Sequence, residues 1–158
     1  MATLQEAVAA KALELYVLPQ WERRPAIRPL WFAPALWDWV DATPAMSEKV
    51  GARTLDEHIE LTFCEFRCAN LFPAGTLRQV MPVKDGVRKL HPPKLRIYGW
   101  CPGQHQFVAV TGALESDTKL DKNLNDKKRD DVLQFIRRNG LEETILFGDN
   151  LVVFPSKK

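Results

Sequence analysis

Residues 86–119 read GVRKLHPPKLRIYGWCPGQHQFVAVTGALESDTK, a series of strand-like runs separated by proline and glycine turns. In the central run, KLRIY, charged or phenolic residues alternate with apolar ones. Because successive side chains of a strand point to opposite faces, Lys94, Arg96 and Tyr98 share one face, and the two apolar residues between them share the other. Two cations and a phenol on one face predict a site for an anion.

The runs around this strand predict an antiparallel sheet. Thr76–Val83 and Val87–Leu90 flank a DG dipeptide, which is typical of hairpin turns. After the turn PGQ, an apolar strand is expected at Gln106–Gly112. A terminal hairpin is predicted from Thr144–Phe147 and Leu151–Phe154, which are separated by GDN.

Two helices are predicted before the sheet. Residues 3–18 carry apolar side chains at helical spacing and end at Pro19. Thr54 begins a second helix that is expected to run through Asn70, with Glu57 at the capping-box position. Its expected core face contains Leu55, Ile59, Phe63 and Phe66. Apolar alternation at positions 59, 61 and 63 also permits a strand there.

A third, charged helix is predicted at Asp126–Asn139. Asn125 is its expected N-cap, and Gly140 is its expected terminator. Its cations alternate with aspartates, which is typical of a solvated outer face.

The segment from Pro19 to Pro44 is rich in tryptophan and proline. It contains Trp21, Trp31, Trp37 and Trp39 together with five prolines. Such a composition predicts extended or turn-rich chain, with a short helix at Ala35–Asp41. The favoured interpretation is an arm that completes the core. The alternative is a surface for a protein partner, since tryptophan is enriched at binding hot spots.

Size and composition predict one α+β domain. The chain has 158 residues, of which 46% are hydrophobic and 27% charged, and a net charge of +2. We expect a helical, Trp/Pro-rich part at 1–70, the sheet and a helix at 71–140, and the terminal hairpin at 141–158. Three cysteines, no apolar run of membrane-spanning length and no secretory signal predict a cytoplasmic protein without a membrane partner.

Residues 80–138 resemble the RelE/HigB-type toxins of bacterial toxin–antitoxin systems, including their phage-derived branch. The resemblance rests on the order of Gly86–Leu90, Lys94–Tyr98 and Phe107–Gly112, followed by Thr118-Lys119 and the charged helix. It implies a microbial-ribonuclease-like fold, with N-terminal helices packed on a twisted antiparallel sheet. It also implies cleavage of messenger RNA without a metal or other cofactor, and two partners: RNA on the ribosome and a cognate antitoxin.

The resemblance assigns phosphate stabilisation to Arg96, the strand arginine, and an assisting role to Lys119 in the basic loop. Such chemistry needs cations for the phosphate and a proton donor for the leaving oxygen. From the residues alone, Tyr98 is a third catalytic candidate, and the RNA-binding candidates are Lys94, Arg88 and His91. This hypothesis requires Arg96 to face an open hollow without a carboxylate partner.

The alternative function is a non-catalytic protein of phage or mobile-element origin. Glu115 and Asp117 stand where the toxins carry lysines, and acids repel phosphate. Such a protein would retain the fold and bind a protein partner through the Trp-rich segment.

A zinc site is a further alternative at the cysteines. Cys64 and Cys68 are four residues apart, and Cys101 and His105 lie at one turn. Two such pairs can in principle complete a tetrahedral site. Buried free cysteines that pack as small hydrophobic residues are the more common arrangement, and they are the favoured interpretation.

Overall fold

A mixed six-stranded sheet forms the centre of the fold. The computed structural model describes residues 2–69, 77–80 and 83–147. In chain order, its helices and strands are α1 (Leu4–Ala9), β1 (Glu14–Leu15), β2 (Leu30–Phe32), α2 (Pro34–Ala42), β3 (Lys49–Val50), β4 (Arg53–Thr54), α3 (Leu55–Cys68), β5 (Leu77–Gln79), β6 (Val87–Leu90), β7 (Leu95–Trp100), β8 (Phe107–Leu114), α4 (Glu115–Leu120) and α5 (Leu124–Arg138). Short 3₁₀ turns lie at Pro44–Ser47, Val83–Asp85 and Glu142–Thr144.

The strand order of the sheet is β1-β2-β8-β7-β6-β5, and β3 and β4 form a separate ribbon. The expectation of an antiparallel sheet is wrong at one pair, because β2 runs parallel to β8. The other neighbours are antiparallel. The parallel pair arises because α2 and α3 lie between β2 and the hairpin strands, and this long crossover lets the chain return beside β2 in the same direction.

Each face of the sheet carries its own apolar core. On one face, α2 and α3 pack against residues of β6, β7 and β8, among them Leu90, Leu95, Ile97 and Phe107. On the other face, α1 and α5 cover Val87, Tyr98, Trp100, Val108 and Val110. The predicted alternation within β7 is therefore confirmed, since Leu95 and Ile97 face α3 and Tyr98 faces α5.

The first predicted helix is shorter than expected. It ends at Ala9, and residues 14–15 form β1 instead. Lys11 has φ +62°, and the N–H groups of Lys11 and Ala12 donate to the carbonyls of Val8 and Ala7. This is a Schellman ending with lysine where glycine is usual, so the residue that ends the helix carries no helix-stop signal in the sequence.

The predicted helix α3 is confirmed. It runs from Leu55 to Cys68, and the N–H of Thr54 donates to the carboxylate of Glu57 at 3.0 Å, which completes the capping box. The expected core residues Leu55, Ile59, Phe63 and Phe66 are all buried. The strand alternative for this segment is wrong.

The other elements follow the expectations with local shifts. The predicted hairpin is present as β5 and β6, but β5 ends at Gln79 and not at Val83, because Val83–Asp85 forms a 3₁₀ turn. The short helix at Ala35–Asp41 is present as α2. The helix α5 begins earlier than predicted, with Asn123 at its N-cap, and Gly140 with φ +64° follows its end. The strand expected at Thr144–Phe147 is absent there, and its partner at Leu151–Phe154 lies outside the described residues.

The second half of the Trp/Pro segment completes the core, as the favoured interpretation predicts, whereas residues 20–27, apart from Glu22, are exposed. Trp37 packs edge-on against Phe32 and Phe63, and Trp39 lies against the same core cluster. Only Trp21 is well exposed among the four tryptophans, at 53%. A partner surface on this segment would therefore contain one exposed tryptophan together with the exposed Ile27.

Gly112 determines how closely α2 approaches the sheet. A Cβ at this position would lie 2.4 Å from the ring of Trp39. We therefore expect Gly112→Ala to lower the free energy of unfolding by about 1–3 kcal/mol, because the aromatic ring and α2 must move away. Urea unfolding measures this loss of stability.

The control for Gly112→Ala is Ala52→Ser, because Ala52 is exposed. Gly51→Ala is unsuitable as a control, because Gly51 has φ +67°. A Gly112→Ala protein as stable as wild type would contradict the close packing of Trp39 on the sheet.

No helix in the described part of the chain combines the length and the apolar character needed to cross a bilayer.

Candidate anion-binding face

The strand register places cations side by side on the sheet face that α5 covers in part. Arg78 of β5 is directly opposite Lys89 of β6, Lys89 is opposite Tyr98 of β7, and Tyr98 is opposite Thr111 of β8. Arg96 precedes Tyr98 by two residues and therefore points to the same face. Arg78, Lys89 and Arg96, with the nearby His91, are called the basic cluster below.

The three cations of the basic cluster repel one another. Burial lowers the pKa of Lys89, and the positive charges of Arg96 and Arg78 lower it further. Like charges held together in a partly desolvated place destabilise a fold. An anion bound between them would remove this repulsion, and such an arrangement is typical of phosphate-binding surfaces.

His91 is held in its neutral form. Burial lowers its pKa to about 3, and Arg96, Arg78 and Lys89 contribute further lowering. Its Nε2 atom is buried without a hydrogen-bond partner among the described residues. At neutral pH, this predicted RNA-binding residue therefore adds no positive charge to the face.

Arg96 is engaged by a carboxylate. Its guanidinium donates to Glu115 Oε2 at 2.6 Å and to its own strand neighbour, the Leu95 carbonyl, at 2.7 Å. Lys119, expected in a loop, lies in the helix α4, and its ammonium is 3.0 Å from the other carboxylate oxygen. Hydrogen bonds from Lys119 and Arg96 lower the pKa of Glu115, so this carboxylate stays ionised. The condition set for a catalytic Arg96, an open hollow without a carboxylate partner, is not met.

Tyr98 is not on an open surface. Its side chain is fully buried under α5, and its hydroxyl donates a hydrogen bond to Asn125 Oδ1. Burial raises the pKa of Tyr98 to about 12. The expectation of Tyr98 as a catalytic group on an exposed face is therefore wrong, because the helix that follows the sheet covers it. Asn125, expected as a helix cap, serves instead as the partner of this phenol.

The remaining predicted RNA-binding residues lie in two different places. Arg88 is only 3% exposed, and strand alternation directs it away from Lys89 toward the face that α3 covers. Its predicted contact with RNA is therefore wrong. Lys94, expected on the strand face with Arg96 and Tyr98, lies instead in the turn before β7, where it is exposed beside a small pocket with Lys119.

Three cations of this face were missed at the sequence level. Arg78 and Lys89 join it through strand pairing, and Lys128 joins it from α5, with its ammonium 3.4 Å from the Thr111 hydroxyl. Burial lowers the pKa of Lys128 as well. The signal for Lys89 was available, because alternation within VRKL separates Lys89 from Arg88.

The four residues of the zinc alternative are not brought together. Cys64 and Cys68 are buried in α3, where the Cys64 thiol lies 3.9 Å from the Tyr16 hydroxyl. Cys101 is fully buried at the end of β7, and burial raises its pKa to about 12. Among the residues described, no three His, Cys, Asp or Glu side chains form a group that could hold a metal ion.

The case for a function rests on this geometry. The basic cluster places three cations on a sheet face that α5 leaves partly open, and Glu115 pairs with one of them, Arg96. Comparison with models of known protein families, with curated proteins and with solved structures found no match to this chain.

Proposed function

We propose that this chain binds RNA through the basic cluster, as a diverged relative of the RelE/HigB-type toxins. The observation that carries the proposal is the cross-strand pairing of Arg78 and Lys89 on one sheet face, where their positive charges repel each other. A fold that retains such repulsion is stabilised when phosphate oxygens bind between the cations. The same relationship would make a cognate antitoxin a second partner.

The proposal gives the cluster a binding role and assigns it no cleavage step. Cleavage would need a proton donor and acceptor beside the phosphate. Tyr98 is buried under α5, so it cannot reach a phosphate. The charge of Arg96 is already neutralised by its ion pair with Glu115. Binding needs only positive charge and access, which the partly exposed Lys89 and the exposed Arg78 supply.

Glu115 limits the affinity in this account, because it is the carboxylate that neutralises Arg96. We expect Glu115→Gln to bind single-stranded RNA about threefold to tenfold more tightly at low salt, since one more cation becomes available to phosphate. Fluorescence anisotropy with a labelled oligonucleotide measures this gain. Glu14→Gln is the matched control, because Glu14 is exposed on β1 at the other edge of the sheet.

The same samples test the proposal itself against cleavage. We expect wild type to bind the RNA, to release it as salt increases, and to leave it intact on a denaturing gel. Absence of binding at about 50 mM salt, or binding that salt does not weaken, would contradict the proposal. RNA cleavage that disappears in Arg96→Ala would replace it with the ribonuclease function.

A further inference from the structure

A small pocket adjoins the basic cluster at Glu115. Its volume is about 280 Å³, and it lies where the 3₁₀ turn before β3, the start of α3, the turn before β7 and the helix α4 meet. Two leucines, two lysines, two glutamates and a serine line it: Leu55, Leu114, Lys94, Lys119, Glu48, Glu115 and Ser116. The two leucines provide one apolar side and charged or polar groups form the rest of the lining, so the pocket suits a ligand that has both apolar surface and hydrogen-bonding groups.

Two of these charged side chains form no ion pair with the described residues. Glu48 and Lys94 are exposed and form no ion pair with any described residue. By contrast, Glu115 and Lys119 are paired with each other at 3.0 Å. The pocket therefore offers one available carboxylate and one available ammonium group to a ligand.

Lys94 is held beside the pocket in an unfavourable backbone conformation. The Leu95 N–H donates to the Pro92 carbonyl at 3.0 Å, and Lys94 has φ +60° at the third position of this turn, where glycine is usual. The Glu115 N–H donates to the Lys94 carbonyl at 2.9 Å, which ties the turn to α4. The left-handed backbone conformation, which Lys11 and His105 also adopt, fixes the position of Lys94 beside the pocket.

We infer that this pocket binds a guanine base of the RNA strand whose phosphates the basic cluster holds; the inference rests on the proposed function. Guanine presents two adjacent donors, N1–H and N2–H, which suit the Glu48 carboxylate, and the acceptor O6, which suits the Lys94 ammonium. Leu55 and Leu114 provide apolar surface for the base. Uracil has acceptors on both sides of its single donor, and adenine lacks the paired donors.

Four nine-nucleotide RNAs test the inference by anisotropy: U₉ and oligonucleotides with a central guanosine, inosine or adenosine among uridines. We expect wild type to bind the guanosine oligonucleotide about tenfold more tightly than U₉ or the adenosine oligonucleotide. Inosine, which lacks the 2-amino group, should fall between them. Glu48→Gln should lose most of this preference and keep its affinity for U₉ within about twofold, whereas Glu14→Gln should keep the preference.

Lys94→Gly provides a second variant whose fold is secure, because glycine suits the left-handed turn. It should also lose preference for guanosine, although its melting temperature should not fall. Equal wild-type affinity for the four oligonucleotides would overturn the pocket inference and leave RNA binding intact. A preference that survives unchanged in both Glu48→Gln and Lys94→Gly would overturn it as well. If wild type binds none of the four oligonucleotides, the proposed RNA binding is wrong, and the pocket inference that rests on it is wrong as well.

Discussion

The Lys89→Met variant is expected to bind single-stranded RNA at least about tenfold more weakly than wild type and to melt at a temperature no lower than wild type. The loss of affinity follows because Lys89 lies between Arg78 and Tyr98 on the sheet face that holds the phosphates. The unchanged or raised melting temperature follows from the lowered pKa of Lys89, since the folded protein disfavours its charged form. Below that pKa the positive charge destabilises the fold, and methionine removes it.

The control for Lys89→Met is Arg138→Met. Arg138 is exposed in the last turn of α5, whereas Lys128 and Asn125, which contact the sheet face, lie in its first turns. The control removes one positive charge from the protein without changing the basic cluster. An equal loss of affinity in both variants would show that RNA affinity depends only on the net charge of the protein and not on the basic cluster. A large fall in the melting temperature of Lys89→Met would show that Lys89 stabilises the fold.

Acid is expected to destabilise the protein through His91. The pKa of His91 is lowered to about 3 in the folded protein, against an ordinary value of 6.5. Protons therefore bind the unfolded chain preferentially between these values, and stability falls as the pH drops below 6.5. Each pH unit there can cost up to about 1.4 kcal/mol, which partial solvation of the ring reduces to a loss of roughly 1–3 kcal/mol at pH 4.

His91→Leu should remove this part of the acid sensitivity. Urea unfolding at pH 7 and pH 4 gives the loss of stability within each protein, so packing differences between the two side chains cancel. Carboxylates whose pKa is lowered by hydrogen bonds, such as Glu57 and Asp121, contribute equally in both proteins and cancel too. An identical loss of stability in wild type and His91→Leu would contradict the buried, neutral histidine.

Local signals predicted the elements whose ends are defined by neighbouring residues. The capping box at Thr54 and Glu57, with apolar residues at helical spacing, correctly identified α3. The DG dipeptide correctly identified the start of β6, where Gly86 has φ +74°, but the preceding strand β5 ends earlier than predicted, at Gln79. The first helix was overextended because Lys11, in place of glycine, adopts the left-handed conformation that ends it. The parallel position of β2 depends on a crossover through α2 and α3, which no short pattern encodes.

The candidate site was predicted in part for the same reason. Alternation correctly separated Arg96 and Tyr98 from Leu95 and Ile97, because the period of a strand is a local property. What covers each face is a tertiary property. The burial of Tyr98 under α5 and the ion pair between Arg96 and Glu115 both bring together residues that are distant in sequence. Pairing across strands likewise placed Arg78 and Lys89 together.

The salt dependence of RNA binding tests the account most directly. For single-stranded nucleic acid, log Kobs falls against log salt concentration with a slope of about −0.7 for each phosphate contact. The account predicts a steep negative slope for wild type and a slope shallower by about 0.7 for Lys89→Met, with Arg138→Met unchanged. A Lys89→Met slope identical to that of wild type would show that the basic cluster does not hold the RNA backbone.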